Sequence, residues 1–423
     1  MALYVQALKS SSEVGSSSID QIQSQKAPTT GLGFTGLAPL DASRLTFTHT
    51  ANSRAVPLSN SPEVLSGETC TDHMITCQWT ASGGWLAPEL KPYGPLSLMP
   101  TSSSLHYAIQ CFEGLKLYRG FDGRLRLFRP FRNAVRMLDS AKRISLPSFR
   151  PEEWVKLVAK LCAVDGPKWL PKERSGHFLY IRPTLISNDP SLSVKRPAKA
   201  LFYIVISCLP AVDEREKGLR LLASQADMVR AWPGGFGYVK LGANYGPSML
   251  AGDEAKKKGF EQILWLFRNE NGIREVTEAG ASNFMLVWRT REGRLQLATA
   301  PLDRQIFLDG ITRRSILDLA RERLSGDSDG GEGGEKIEIK ERRLSMDDIV
   351  AACEEDRIVE AFAVGTSYFV SPVSLIQYGE KALEIPMVEG STGVYARLFK
   401  AWLKAIMYGL EKHDWAYLVD SKE

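Results

Sequence analysis

The sequence lacks any CxxC pair. Its six cysteines (Cys70, Cys77, Cys111, Cys162, Cys208 and Cys353) lie far apart, as expected for a large chain in a reducing compartment. The five histidines are equally scattered, without metal-ligand spacing, so neither a zinc site nor a redox disulfide is expected and no metal is assigned. Net charge is also low: 53 basic residues face 49 acidic ones, a balance of +4. With no block of like charges, neither nucleic acid nor an anionic surface is an expected partner. No apolar run reaches the length of a membrane span, and the best candidates, 201–206 and 263–267, read as buried strands. No apolar stretch of signal-peptide type follows Met1. Residues 1–30 contain no arginine and carry Glu13 and Asp20, unlike an Arg-rich presequence. The expectation is a Ser-rich disordered lead over 1–39 and a cytoplasmic location, with a mitochondrial one left open.

What is present suits a soluble two-domain protein. The 423 residues are 44% hydrophobic, 24% charged and 9% aromatic, enough for two substantial cores. A small domain is expected over 40–209, with an exposed loop at 56–66. It contains the strands 125–128, 177–186 and 201–208 and two amphipathic helices, 132–144 and 152–164. The polar stretch 210–218 reads as an interdomain linker. A large domain, 219–423, follows. It opens with a strand at 219–223, then a hairpin of 261–267 with 274–288 around the turn dipeptide Asn271-Gly272. Residues 325–335 (SGDSDGGEGGE) read as a flexible insertion, and 393–409 as an amphipathic helix. Strands and helices mix without strict alternation, so the expected class is α+β.

Four features bear on chemistry. Lys240 stands in Tyr-Val-Lys-Leu-Gly-Ala-Asn-Tyr-Gly, among apolar and small residues that lower an amine's pKa and make it a nucleophile toward carbonyls. The plain alternative is a lysine whose stem covers apolar surface. Glu278 follows a strand-like run and precedes Ala-Gly-Ala-Ser-Asn; it faces either a cationic ring nitrogen or solvent. Asp309-Gly-Ile-Thr312 leads into a helix, and Val364-Gly-Thr-Ser367 is rich in small residues. Each can offer backbone N–H groups to a phosphate, or can be a simple helix start and turn. Arg136 lies on the first amphipathic helix, where its plainest role is a surface guanidinium. A nucleophilic lysine, a ring-nitrogen carboxylate and phosphate anchors are together the parts of a pyridoxal-phosphate site.

In their order along the chain these parts resemble the branched-chain amino-acid aminotransferases, fold-type-IV pyridoxal-phosphate enzymes. The resemblance runs from Thr71-Asp-His-Met74 to Tyr408-Gly409 and includes Ser102-Ser-Ser-Leu-His-Tyr-Ala-Ile-Gln-Cys-Phe-Glu-Gly-Leu-Lys116, Arg126-Leu-Phe-Arg-Pro130, Leu179-Tyr-Ile-Arg-Pro183, Arg230-Ala-Trp232 and Val276-Thr-Glu-Ala-Gly280. Leu40-Asp-Ala-Ser-Arg-Leu is similar to fungal members. The resemblance implies a homodimer of two-domain α+β subunits. It implies ping-pong amino transfer between a hydrophobic L-amino acid, branched-chain or longer, and 2-oxoglutarate. By its terms Lys240 holds pyridoxal 5'-phosphate as a Schiff base and moves the proton. Glu278 pairs with the ring nitrogen and Tyr245 stands near the phenolic oxygen. Arg136, Ile311, Thr312 and Thr366 hold the phosphate, and Tyr107, Phe112, Tyr180, Arg182, Ser66 and Ser367 line the substrate side, some of them across the dimer interface.

The departures from the family pattern concern the substrate. Ser66 and Cys70 replace aromatic residues, Ala281 replaces a threonine, and Tyr368 and Ser371 occupy the positions of a redox pair found in mammalian members. The lost volume at Ser66 is filled either by a longer, specialised 2-amino acid or by a neighbour such as Leu65. The rival activities are D-amino-acid transamination and aminodeoxychorismate lyase, against which the Leu-His-Tyr and Tyr-Ile-Arg blocks argue. A cofactor-binding protein without turnover is expected to have lost Lys240 or Glu278, and both are present.

Overall fold

Pro130 can start a helix because its missing N–H is one that the first turn leaves unpaired in any case. The helix it starts, α1 (Pro130–Arg143), buries Ala134, Met137 and Ala141 along one face. A second helix, α2 (Pro151–Trp169), packs there, and the indole of Trp154 donates to the Met137 sulfur at 3.0 Å. Both helices were expected from their periodicity, each with a slightly later start or earlier end than the observed bounds. Arg129, just before α1, holds a left-handed backbone (φ 49°). Such a conformation costs a β-carbon residue about 1–3 kcal/mol. Its guanidinium offsets this with Ser315 at 2.9 Å, Asp318 at 3.0 Å and the Trp415 ring at 3.9 Å.

The computed structural model describes residues 36–59, 61–210, 218–324, 336–366, 369–387 and 393–419. Residues 1–35 of the expected 1–39 lead, most of the 210–218 linker and the 325–335 insertion lie outside them, while Ala38, within that lead, pairs with Gly84. Among the described residues the strands form two sheets, of ten and nine strands. The antiparallel centre of the first joins Cys70–Thr80 to Lys199–Ser207, then Phe178–Ser187, Leu115–Arg119 and Leu125–Phe128, with the late strand Ala416–Val419 at its edge. The second sheet is mixed, and Leu219–Ala223 runs parallel to both of its neighbours. Each sheet covers its own apolar core with helices. The first uses α1 and α2; the second uses α3 (Ile311–Leu324) and α4 (Val394–Met407). The architecture is α+β.

Two expectations need correction. The run 274–288 is two strands, Arg274–Ala279 and Ser282–Arg289, which pair antiparallel through Glu278 and Asn283. The reversal lies at Gly280, whose φ is +59° and whose missing β-carbon would meet the Gln262 side chain at 2.1 Å. Alternating apolar residues on both sides concealed a break set by one glycine. The loop at 56–66 contains a short helix, Pro62–Leu65.

At the start of α4, Glu360 accepts the Ala396 N–H at 2.9 Å. Gly393 is required there, since a β-carbon would fall 1.2 Å from the Glu360 carboxylate. Burial raises this carboxyl from 4.5 to about 7, outweighing the backbone N–H groups of Ala396 and Tyr395. The folded state therefore favours the protonated acid. Its contribution to stability is complete below pH 4.5 and is lost as pH rises through 7. The expected loss is roughly 3 kcal/mol. Glu360→Gln cannot titrate and should be more stable than wild type at pH 8 by about that amount, with the advantage gone at pH 5. Urea unfolding at both pH values checks this, and an advantage that does not change with pH would contradict it.

Candidate active site

The chain reversal at Gly280 and the start of α3 bring the ends of several elements around one cavity of about 550 Å³. Ten of the residues singled out from sequence line it: Arg136, Lys240, Tyr245, Glu278, Ile311, Thr312 and Thr366, with Phe112, Tyr180 and Arg182 on the wall. A larger open groove of about 800 Å³ lies beside it and shares Arg136 and Ile311, but reaches neither Lys240 nor Glu278.

Lys240 lies where the chain passes between the two sheets' elements. Its N–H donates to the Ser140 hydroxyl at 2.9 Å, and its carbonyl accepts from the Phe112 N–H at 3.1 Å. A 3₁₀ turn, Gly242–Asn244, follows. The Asn244 amide donates back to the carbonyls of Phe236 and Val239, at 3.0 and 2.8 Å. This turn delivers Tyr245 so that its hydroxyl is 3.2 Å from the Lys240 amine. The Phe112 ring stands 5.1 Å from the same amine.

Glu278, next to last in its strand, is a buried carboxylate and forms an ion pair with Arg230, whose side chain is about 10% exposed. The register aligns Glu278 with Asn283 and Asn283 with Val364 across three strands. Glu278, the glycine-rich entry to α3 and the Val364-Gly365-Thr366 strand end thus share one rim. At that rim Gly310 can only be glycine, because a β-carbon would meet the Asn283 side-chain oxygen at 2.0 Å. The Arg314 N–H returns to the Gly310 carbonyl at 2.9 Å. The N–H groups of Ile311, Thr312 and Arg313 come before that bond, at the positive end of the helix.

Arg136 is the other cation at this end. Its Nε and Nη2 grip both oxygens of Glu113 at 2.7 and 2.8 Å, and Nη1 donates to the Asp309 carbonyl at 3.0 Å. Asn133 adds a bond to Glu113 at 2.8 Å. Burial works against both charges. Arg136, then the charge of Lys240 and the Asn133 bond, nevertheless hold the Glu113 carboxyl below its usual range, and Glu113 keeps Arg136 charged. Removing one member of such a buried pair typically costs about 3–5 kcal/mol.

On the wall, Tyr180 and Arg182 point the same way because they are two apart on a strand. The Arg182 guanidinium lies 4.6 Å over the Phe112 ring and donates to the Tyr180 hydroxyl at 2.9 Å. Its Nε is buried without a hydrogen-bond partner among the described residues.

Two residues singled out from sequence, Ser66 and Tyr107, are not part of this grouping. Ser66 ends the Pro62–Leu65 helix at the surface, where its hydroxyl donates to the Glu63 carbonyl at 3.1 Å. Neighbouring Leu65 is also exposed. Tyr107 is exposed, with its hydroxyl on the Leu192 carbonyl. Ser367 and Tyr368 lie outside the described residues. Conversely, Ser140 was not noted at all, and Glu113, Arg230 and Asn283 were noted only within motifs. Glu113 had a detectable signal: a carboxylate inside the apolar run Cys111–Leu117 requires a buried cation. Ser140 had none.

The family model described as amino-transferase class IV matches residues 110–376, well over half of the chain. The chain belongs to the class IV aminotransferases. It is a pyridoxal-phosphate-dependent transaminase of fold type IV. Among curated relatives it is 41% identical to the mitochondrial branched-chain-amino-acid aminotransferase of Schizosaccharomyces pombe, over 90% of this chain and 85% of that protein. It is equally similar, at 41%, to the cytosolic enzyme of that name from Saccharomyces cerevisiae, over 90% of this chain and 98% of that one. A solved branched-chain amino acid aminotransferase from Escherichia coli shares the fold. It has a TM-score of 0.61 at 23% identity, and covers 83% of this chain and 99% of that one.

The cavity fits pyridoxal phosphate: an amine beside a phenol, a buried carboxylate, and at the far end a helix start with a charged arginine. The thiols have no part in it. Burial pushes Cys77 up to about 12 and Cys208 up to about 11, and raises Cys111, directly behind Phe112, still further. Thiolates are the form that oxidises, so mild peroxide should leave transamination unchanged. Loss of activity that a thiol reagent restores would contradict this.

Proposed function

We propose that the chain transfers the amino group of a hydrophobic L-amino acid, branched-chain by preference, to 2-oxoglutarate in a ping-pong cycle. The relatives named above carry that substrate class in their names. The observation that carries the residue assignment is the grouping of Lys240, Tyr245 and buried Glu278 in one cavity, with Phe112, Tyr180 and Arg182 on its substrate wall.

When bound, pyridoxal phosphate supplies an electron sink conjugated to the substrate Cα. Lys240 would hold it covalently through Nζ, and its amine is the base placed to move the proton at the substrate Cα. Tyr245 orients that amine and would stand near the phenolic oxygen. Glu278, ion-paired with Arg230, would face the ring nitrogen and favour its protonated form. Arg136, Ile311, Thr312 and Thr366 take the phosphate, with Glu113 fixing the arginine's plane. Phe112 and Tyr180 exclude water from the substrate side chain. Arg182, with a donor to spare, takes the second carboxylate of 2-oxoglutarate while its stem and stacked face tolerate an aliphatic side chain.

We also assign a homodimer. Leu105, Tyr107, Leu192 and Val194 are all exposed, between 39% and 82%, and a second subunit covering them would bring Tyr107 toward its partner's cavity. Among the described residues nothing favours a longer substrate over a branched one, because Ser66 does not line the cavity of its own chain. A cytosolic or a mitochondrial location agrees with the relatives' names.

Lys240→Ala should lose the visible absorbance of the bound cofactor and nearly all transamination; a variant that keeps both would refute the assignment. Glu278→Gln should retain cofactor but lose turnover. A charge-assisted contact is worth about 1.5–3 kcal/mol, or roughly 10- to 150-fold, and unchanged kcat would remove Glu278 from the mechanism. Arg182→Gln should raise KM for 2-oxoglutarate by a similar factor and leave the reaction with leucine within threefold. An equal loss for both substrates would show that Arg182 does not discriminate between them.

A further inference from the structure

Ser140 is fully buried on α1, one turn beyond Arg136. Its hydroxyl donates to the Arg136 carbonyl at 2.8 Å. Taken alone this is unremarkable in chemical terms, since helical serines commonly bond back to the carbonyl four residues earlier. The same oxygen, however, accepts the Lys240 N–H at 2.9 Å, from a residue one hundred positions away. One hydroxyl therefore joins the backbone of the cavity's phosphate-end arginine to the backbone of its lysine.

A serine hydroxyl has one donor and two acceptor sites. The back-bond fixes the direction of the hydrogen, and that in turn aims a lone pair at Lys240. The opposite edge of the same residue is held by the Phe112 N–H on the Lys240 carbonyl at 3.1 Å. The peptide units flanking the lysine are thus fixed from two sides, by α1 and by the strand Gln110–Phe112. A lysine side chain has four rotatable bonds of its own, so the position of its amine depends on how firmly its Cα is held. Near-attack geometry is sensitive to misplacement of about 1 Å, which can cost on the order of 100-fold in rate.

We propose that Ser140 is a positioning residue for Lys240, fixing the lysine's backbone at a set distance from Arg136 so that amine and phosphate anchor match the length of one cofactor. This rests on Lys240 being the cofactor lysine. Ser140→Ala leaves the back-bonded helix without its hydroxyl and the Lys240 N–H buried without its acceptor.

The test is a double-mutant cycle on the full chain, using pyridoxal phosphate as the probe. In the wild-type background, Ser140→Ala should lower kcat with leucine about 10- to 100-fold, with KM within threefold. It should also shift the pH midpoint of the cofactor's visible band, which reports the environment of the Lys240 amine. In the Lys240→Ala background, Ser140→Ala should change pyridoxal phosphate affinity less than twofold, because the bond then positions no amine. An equal affinity loss in both backgrounds would overturn the proposal in favour of a purely structural serine, as would an unchanged band and kcat. Ser140→Thr, which keeps the hydroxyl, should restore the band. If Ser140→Ala does not fold, Ser140→Cys keeps the volume with a poor acceptor and serves the same cycle. Failure of the underlying assignment is read separately, as a Lys240→Ala protein that retains the visible band.

Discussion

The active cavity depends on holding one amine in a partly buried place without pairing it to a carboxylate. Among the described residues the Lys240 amine bonds to a phenol, Tyr245, at 3.2 Å. A carboxylate at that position would trap the ammonium form and abolish its nucleophilicity. The structure meets this constraint by giving each nearby carboxylate a cation of its own. Glu113 is paired with Arg136, and Glu278 with Arg230. Lys240 is left facing aromatic rings and a hydroxyl. The two ion pairs are costly to bury, and they do little for stability relative to an apolar core; their value lies in charge placement.

The fold serves the same constraint from a distance. Helix α1 carries Asn133, Arg136 and Ser140 on one side, which reach Glu113 and Lys240, while its other residues bury Met137 and Ala141 against α2. The reversal at Gly280 turns Glu278 and Asn283 toward the start of α3. The Arg129 bonds to Ser315 and Asp318 tie the beginning of α1 to the flank of α3. Arginine and helix start, the two elements assigned to the phosphate, are therefore braced against each other through side chains outside the cavity.

Much of this was legible in sequence, and for identifiable reasons. Periodicity found α1, α2 and α4 because each buries one face. Asn271-Gly272 marked its hairpin through the positive φ that Gly272 adopts. The motif blocks named the family and ten residues that share the cavity. Other features depend on contacts far apart in sequence. Nothing near Ser140 announces a bond to residue 240, and Arg230 in Arg-Ala-Trp gives no hint of a carboxylate partner 48 positions later. The break at Gly280 was hidden because both strands alternate apolar residues in phase with a single long one. Ser66 and Tyr107 show the opposite limit. Motif alignment gives them a pocket role, whereas their own subunit keeps them at the surface.

The central claim is that Lys240, among all the lysines of the chain, carries the cofactor. Reduction of the holoenzyme with borohydride fixes the cofactor to its lysine, and peptide mapping then identifies the residue. The account predicts a single pyridoxyl-modified peptide spanning Tyr238 to Asn244, with the label on Lys240. A label on any other lysine, or none after full loading, would contradict it.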